Sequence, residues 1–381
     1  MRLLAFTLVL LAATARAEPA IELVETAPVE TTLDHADIPE AADVWQKMIA
    51  GAKRSIDLAE FYVATAPDSR LTPILDGLVA AAGRGVRVRL LVDDGFAKHE
   101  GATLATRAAT GKLEIRRLDM HARAGGILHA KYFIVDGRDA YLGSQNLDWR
   151  SLTHIQELGV RVRESSLVVP LADIFESDWA LAAASADAPI RWRTHAAAPD
   201  LRFMLVASPS GWLPDESRWE LPRLVALIDG AKKSVRVQLL TYRADFDELD
   251  AALRRAAARG VEVQLLVADW CKRKGVVEGL QRLALVPHVA VGFLDIPPAK
   301  SGFIPYARVA HAKYLVVDGD SAWIGTSNWE RDYFYKSRNV GIIIRGGVLP
   351  QRLDRFFAGN WASAYNERVD AHAQYVAPRT H

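Results

Sequence analysis

The chain reads as an α/β protein made of two similar halves, with a single active centre where the halves meet. Three observations carry this reading. His129-Ala130-Lys131, then four residues and Asp136, recurs 182 residues later as His311-Ala312-Lys313, then four residues and Asp318. Each copy continues in register into Gly143-Ser144-Gln145-Asn146 and Gly325-Thr326-Ser327-Asn328, again 182 apart. Helical and extended apolar patterns alternate along both halves, as expected for strands covered by helices.

The repeat is wider than the motif. Residues 51–56 (GAKRSI) match 230–235 (GAKKSV), and 84–92 (RGVRVRLLV) match 259–267 (RGVEVQLLV). Residues 23–28 loosely match 205–209, residues 158–160 match 340–342, and 175–179 (FESDW) mirror 357–361 (FAGNW). A unit of this length is a duplicated domain, because solenoid repeats run at roughly 20–50 residues.

In order along the chain, helical spacing of apolar residues predicts helices over 44–52, 71–83, 221–230 and 246–259. Apolar or β-branched runs predict strands over 55–62, 86–92, 132–135, 140–142, 235–240, 261–267, 314–317 and 322–324. Asp136-Gly137 and Asp318-Gly319 are hairpin turn signals, which place each motif on a β-hairpin. His129 and Lys131, two residues apart, then project to one face, as do His311 and Lys313. Asp136 and Asp318 fall beyond the strand ends and are read as structural or orienting groups. The Ala- and Pro-rich residues 187–200 form the linker.

Residues 1–17 read as an export signal: Arg2 is the positive start, residues 3–13 the apolar run, and Ala15-Arg16-Ala17 the cleavage site. The run is about half the roughly 20 residues a membrane span needs. The organisation is thus a leader over 1–17, an amino-terminal lobe over 18–195 and a carboxy-terminal lobe over 196–381, in a periplasmic or secreted protein. Cys271 is the sole cysteine, so no intramolecular disulfide can form, and it is read as a packed residue. Removing Arg2 and Arg16 with the leader leaves 45 basic against 46 acidic residues. That balance excludes a strongly basic nucleic-acid coat or a polybasic membrane patch, so an anionic substrate must be attracted locally.

The residue types point to phosphodiester chemistry. Lys131 and Lys313 can neutralise non-bridging oxygens, and Asn146 and Asn328 add uncharged donors. One neutral imidazole can attack phosphorus, and the other can protonate the leaving oxygen and then activate water. Such a division of labour needs environments that push two like groups apart. Glu157 and Asn339, each 28 residues after its histidine, differ at equivalent positions and can supply that asymmetry. No C-x2-C or H-E-x-x-H spacing calls for a metal, and no cofactor is expected.

Together, the paired H-x-K-x4-D-x6-G-[ST]-x-N motifs resemble the phospholipase D superfamily, over almost the whole mature chain. Residues 128–160 and 304–334 are similar to the subgroup of animal lysosomal phospholipase D-like 5′ exonucleases and poxvirus envelope proteins, most specifically at 146–153 (NLDWRSLT). The resemblance implies a metal-independent phosphodiesterase with two α/β/α lobes of mixed sheet about a pseudo-twofold axis. It implies His129 as nucleophile and His311 as acid/base, with Glu157 orienting His311 and Asn339 orienting His129 across the interface. The chain departs from the lysosomal subgroup in its single cysteine and its leader, departures that bear on the substrate rather than the chemistry.

The aromatics beside the motifs, Trp149, Trp329, Tyr333 and Phe334, are read first as core, with base stacking as the alternative. His121 and Arg123 are read as a solvated loop, with phosphate contact as the alternative. Three functions compete: hydrolysis of single-stranded nucleic acid, hydrolysis or transfer on phospholipids with peripheral membrane contact, and a binding role without catalysis. Two intact motifs argue against the last. With both half-sites in one chain, a monomer suffices for catalysis.

Overall fold

A computed structural model describes residues 19–96, 113–185, 192–195, 200 and 202–381. The expected leader and most of the expected linker lie outside these residues. The first half carries strands β1 (Ile21–Thr26), β2 (Ser55–Glu60), β3 (Val63–Ala64), β4 (Arg87–Asp93), β5 (Leu113–Leu118), β6 (Tyr132–Val135), β7 (Asp139–Gly143), β8 (Leu147–Asp148) and β9 (Glu157–Val162). The second carries β10 (Phe203–Ser208), β11 (Ser234–Leu239), β12 (Glu262–Ala268), β13 (Val289–Leu294), β14 (Tyr314–Val317), β15 (Ser321–Gly325), β16 (Asn339–Arg345) and β17 (Asn366–Arg368).

The two main sheets have the same plan. Their orders are β1-β9-β7-β6-β2-β4-β5 and β10-β16-β15-β14-β11-β12-β13-β17, so seven positions correspond one to one and β17 is an addition. Both are mixed: β2, β4 and β5 run parallel, as do β11, β12 and β13, and the remaining neighbours pair antiparallel. In the central parallel strands β4 and β12 the apolar runs Leu90-Leu91-Val92 and Leu265-Leu266-Val267 are buried, because both faces of the sheet are covered.

Helices Ala41–Gly51 and Thr72–Gly83 lie on the outer face of the first sheet, where Trp45, Met48, Leu75 and Leu78 meet Leu58, Val88 and Phe133. Helices Glu220–Gly230 and Asp247–Ala258 cover the second, where Leu224, Ile228, Leu249 and Leu253 meet Val237, Leu265 and Trp323. The inner faces share one core. Helix Ser165–Leu181 and helix Val348–Ala362 pack into it through Leu171, Phe175, Leu353 and Phe357, beside Leu128, Ala130, Ala310 and Ala312. This is the expected two-lobed α/β/α architecture with motifs at the junction.

A buried ion pair crosses the junction. Arg338 donates to Asp178 at 2.9 Å through Nε and through Nη2, and to the carbonyls of Ser208 (2.8 Å) and Trp212 (2.6 Å). The equivalent positions of the other half, Gln156 and Asn360, hold an amide network. Gln238 donates to Gln156 at 2.8 Å, and its own carbonyl accepts from Asn360 (3.0 Å) and Tyr314 (2.7 Å). Removing one member of a buried pair strands a charge, so Arg338→Ala is expected to cost about 3–5 kcal/mol. Replacing both Arg338 and Asp178 by apolar residues should cost less. Denaturant midpoints of the two variants test this.

Candidate active site

Backbone bridges across the junction set the histidines. His129 N–H donates to the Arg338 carbonyl (2.9 Å), and Arg338 N–H donates to the Ile127 carbonyl (2.9 Å). The other crossing is its image: His311 N–H donates to the Gln156 carbonyl (2.8 Å), and Gln156 N–H donates to the Val309 carbonyl (3.0 Å). Each histidine is therefore locked to the residue preceding the first residue of β16 or β9 in the opposite lobe.

Those first residues are Asn339 and Glu157. Asn339 Oδ1 lies 3.0 Å from His129 Nδ1 and also accepts from Thr326 Oγ1 at 2.9 Å. Its Nδ2 donates to the carbonyl of Tyr333 at 2.8 Å, which fixes the amide's orientation. An amide oxygen only accepts, so His129 Nδ1 carries the hydrogen and Nε2 keeps its lone pair. Glu157 Oε2 lies 2.7 Å from His311 Nδ1, and Oε1 accepts from Ser151 Oγ. The structure thus brings His129, His311, Glu157 and Asn339 into one centre, each histidine against a side chain of the other lobe.

The hydroxyl of each G-[ST] segment ties into the strand that carries the orienting residue. Thr326 bonds Asn339 directly, and Ser144 Oγ donates to the Leu158 carbonyl (3.1 Å) and accepts the Leu158 N–H (3.0 Å), one residue past Glu157. The preceding glycines allow close approach: Gly143 faces Gly159 and Gly325 faces Gly341 across their ladders. A Cβ on Gly143 would come within 2.5 Å of Gly159 Cα, and one on Gly325 within 2.5 Å of the Trp323 ring.

Lys131 and Lys313 are fully buried, and each donates to its own histidine's carbonyl, at 2.5 and 2.6 Å. Of three N–H groups on each ammonium, that leaves two. Burial lowers Lys313 to about 7, with Glu157 opposing. Burial and then Lys313 hold Lys131 well below its ordinary range, with Glu60 and Glu157 opposing. Burial and the two ammonium groups also push both histidines well down. An anion placed between the lysines removes this repulsion. Burial lifts Glu157 to about 7, so near neutrality it shares a proton with His311.

Asn146 and Asn328 are buried. Asp136 and Asp318 are turned away from this centre. The Asp136 carboxylate accepts the N–H groups of Lys53, Arg54 and Ser55, and Asp318 accepts those of Lys232, Lys233 and Ser234. Both stand at φ 55° and each is followed by a positive-φ glycine, the geometry of the hairpin turn.

Trp329 and Phe334 are core residues, whereas Tyr333 sits half-buried with its ring centroid 4.8 Å from that of His129. Trp149 is half-buried against His154. Arg123 caps the end of helix Ser165–Leu181 through the carbonyl of Leu181 (2.7 Å), and His121 is exposed. Burial pushes the Cys271 thiol up to about 12. Sequence reasoning missed Glu60, a buried carboxyl next along β2 from Ala59, the partner of Tyr132. It is thereby beside Lys131, where the second lobe has Leu239 at the end of β11. It also missed Phe61, whose ring lies 5.1 Å from His129 and under Lys131 Nζ at 5.2 Å. Among the described residues no three His, Cys, Asp or Glu side chains gather as a metal cluster.

Both halves match the family model described as "Cardiolipin synthase, PLD-like domain", over residues 46–179 and 224–361. The chain belongs to the phospholipase D superfamily. It is 31% identical to the 5'-3' exonuclease PLD3 of Bos taurus, over 95% of this chain and 84% of the relative. It is 29% identical to Phospholipase D Z of Dictyostelium discoideum, over 85% of each. Among solved structures, the phosphatidylserine synthase of Haemophilus influenzae has the same fold, with a TM-score of 0.66 at 12% identity over 92% of this chain and 87% of that one.

The Asp136 contacts carry a stability prediction. Asp136→Ala is expected to cost about 2 kcal/mol or more, because three backbone donors lose a charged acceptor. A lowered thermal midpoint, with Asp136→Asn falling between, is the measurement.

Proposed function

We propose that the protein is a phosphodiester hydrolase that works through a phosphohistidine and acts on single-stranded nucleic acid. The observation that supports this reading is the crossed seating of the histidines, an amide behind His129 and a carboxyl behind His311. His129 Nε2 attacks phosphorus, the P–O bond to the leaving group breaks, and the leaving oxygen takes the proton of His311 Nε2. Lys131, Lys313 and the amides of Asn146 and Asn328 hold the non-bridging oxygens. His311 Nε2 then takes a proton from water, the water oxygen attacks phosphorus, and the P–N bond breaks to restore His129. Whether the Glu157–His311 proton sits nearer oxygen or Nδ1, His311 Nε2 bears hydrogen until the pair loses it. Asp136 and Asp318 serve the framework.

Near-neutral overall charge suits a single strand held in a local channel, since a duplex enzyme draws on many phosphate contacts. A relative bearing the name 5'-3' exonuclease over most of its length supports the same choice. A second reading, a phospholipid diesterase or transphosphatidylase using the same centre, is favoured by Phe303 (42% exposed) and Tyr306 (50% exposed) on the loop before the second motif. We place the enzyme outside the cytoplasm on the strength of the leader sequence, with a monomer sufficient for turnover. No helix among the described residues is long and apolar enough to cross a membrane.

In EDTA, the mature protein should release nucleotides from 5′-hydroxyl single-stranded DNA, and His129→Ala and His311→Ala should each lower kcat by about 10³-fold or more. Phosphatidic acid from phosphatidylglycerol vesicles, with the DNA untouched, would favour the second reading. Loss of activity in EDTA would overturn the metal-free mechanism. The pH profile follows from Glu157 at about 7: kcat/KM should fall as pH rises through that value, because the pair then loses the proton the leaving group needs. Below it the rate should hold, since His129 stays neutral well under the ordinary imidazole range. Glu157→Gln should lower kcat by about 10²-fold and displace that alkaline limb.

A further inference from the structure

Outside the three apolar cores lies a cluster of aromatic rings, and it lies on one side of the catalytic centre. Phe61 stands 5.1 Å from His129, 4.2 Å from Phe96 and 5.2 Å from Tyr62, centroid to centroid. Tyr62 and Phe96 lie nearly parallel at 6.3 Å. None of the three belongs to the hydrophobic clusters that bury the sheets, and all three are half-buried. β2 ends at Glu60, so Phe61 and Tyr62 leave the ladder at the point where the strand reaches the site. In the second lobe the positions following β11 are Leu240, which is packed in the shared core, and Thr241. Among the described residues no ring stacks on His311, whereas Tyr333 of the second lobe also meets His129 edge-on, at 4.8 Å.

Partly exposed rings such as Phe61 and Tyr62, outside those clusters and next to a reactive group, are contact surface for a ligand. Two further details choose the ligand. Lys131 Nζ, a phosphate-binding group in the reading above, lies 5.2 Å from the centroid of Phe61, so a bound phosphoryl group and a planar substituent on it reach ammonium and ring together. The Tyr62 hydroxyl hydrogen is already given to Asp148 at 2.8 Å, so Phe61, Tyr62 and Phe96 offer π-faces and no free hydrogen-bond donor. We infer that Phe61, Tyr62 and Phe96, with Tyr333 also beside His129, form a stacking subsite for the base of the nucleotide held on His129. This rests on the nuclease reading and names the part of the substrate that the nucleophile's side recognises. Stacking without edge contacts holds any of the four bases. Among the described residues, the leaving strand on the His311 side meets no such platform.

The test uses the mature enzyme in EDTA on two oligodeoxynucleotides that differ at the nucleotide transferred to His129, one with a natural base and one with a tetrahydrofuran abasic residue. Wild type should cut the base-bearing substrate with a kcat/KM about 10-fold or more above the abasic one, carried mainly by KM. The four natural bases should fall within a few-fold of each other. Phe61→Leu with Phe96→Leu should lower kcat/KM on the base-bearing substrate and bring the ratio of the two substrates close to one. That ratio is internal, so a partly unfolded variant cannot imitate its collapse, and wild-type discrimination alone decides the matter if the variant does not fold. Equal cleavage of both substrates by wild type overturns the inference and leaves the nuclease reading standing. Cleavage of neither, with turnover of phosphatidylglycerol vesicles, overturns both.

Discussion

Backbone hydrogen bonds between the lobes hold the rest of the structure in register. Through them, the segment carrying each histidine runs beside the first residues of a strand in the opposite lobe. Because a β-bridge fixes backbone position closely, the side chain one residue further, Asn339 or Glu157, is delivered to the imidazole at hydrogen-bonding distance. The centre therefore depends on the junction as a whole. The fully buried Arg338–Asp178 pair and the Gln156–Gln238–Asn360 chain adjoin the bridges and add buried polar contacts to the junction.

Within that frame the two half-sites differ in a small number of atoms. An amide behind His129 accepts a hydrogen and brings no charge, so this imidazole stays neutral and its Nε2 lone pair stays available. A carboxyl behind His311 holds a proton in common with it, so Nε2 there carries hydrogen. Burial amplifies both effects, since a dielectric lower than that of water strengthens every interaction among Lys131, Lys313, Glu157 and the imidazoles.

Much of this was legible in the sequence. The period of two placed His129 and Lys131 on one face, the Asp-Gly pairs marked the hairpin turns, and the 182-residue offset made the sheets equivalent. The same offset relates Glu157 to Asn339 and Asp178 to Asn360, though it could not reveal that Arg338 reaches Asp178. Helix Ser165–Leu181 went unseen as a helix because twelve of its 17 residues are buried, which erases the amphipathic period. β5, Leu113–Leu118, was missed for the opposite reason, since three of the four residues between its leucines are charged and it lies at a sheet edge. Phe61 was hidden inside a run read as strand to residue 62. The ladder stops at Glu60, and only the end of the ladder turns that ring toward the histidine.

The inequality of Glu157 and Asn339 also bears on why both lobes share one polypeptide. Two identical subunits about a true twofold axis would carry the same residue behind each histidine, two acids or two amides, and the imidazoles would compete for the same task. Covalent fusion frees each half to diverge at single positions while the bridged geometry is kept. Glu60 against Leu239, and Phe61 against Leu240, are further divergences of this kind. Broken symmetry gives the centre a direction: one side is built to hold what is kept, the other to release what departs.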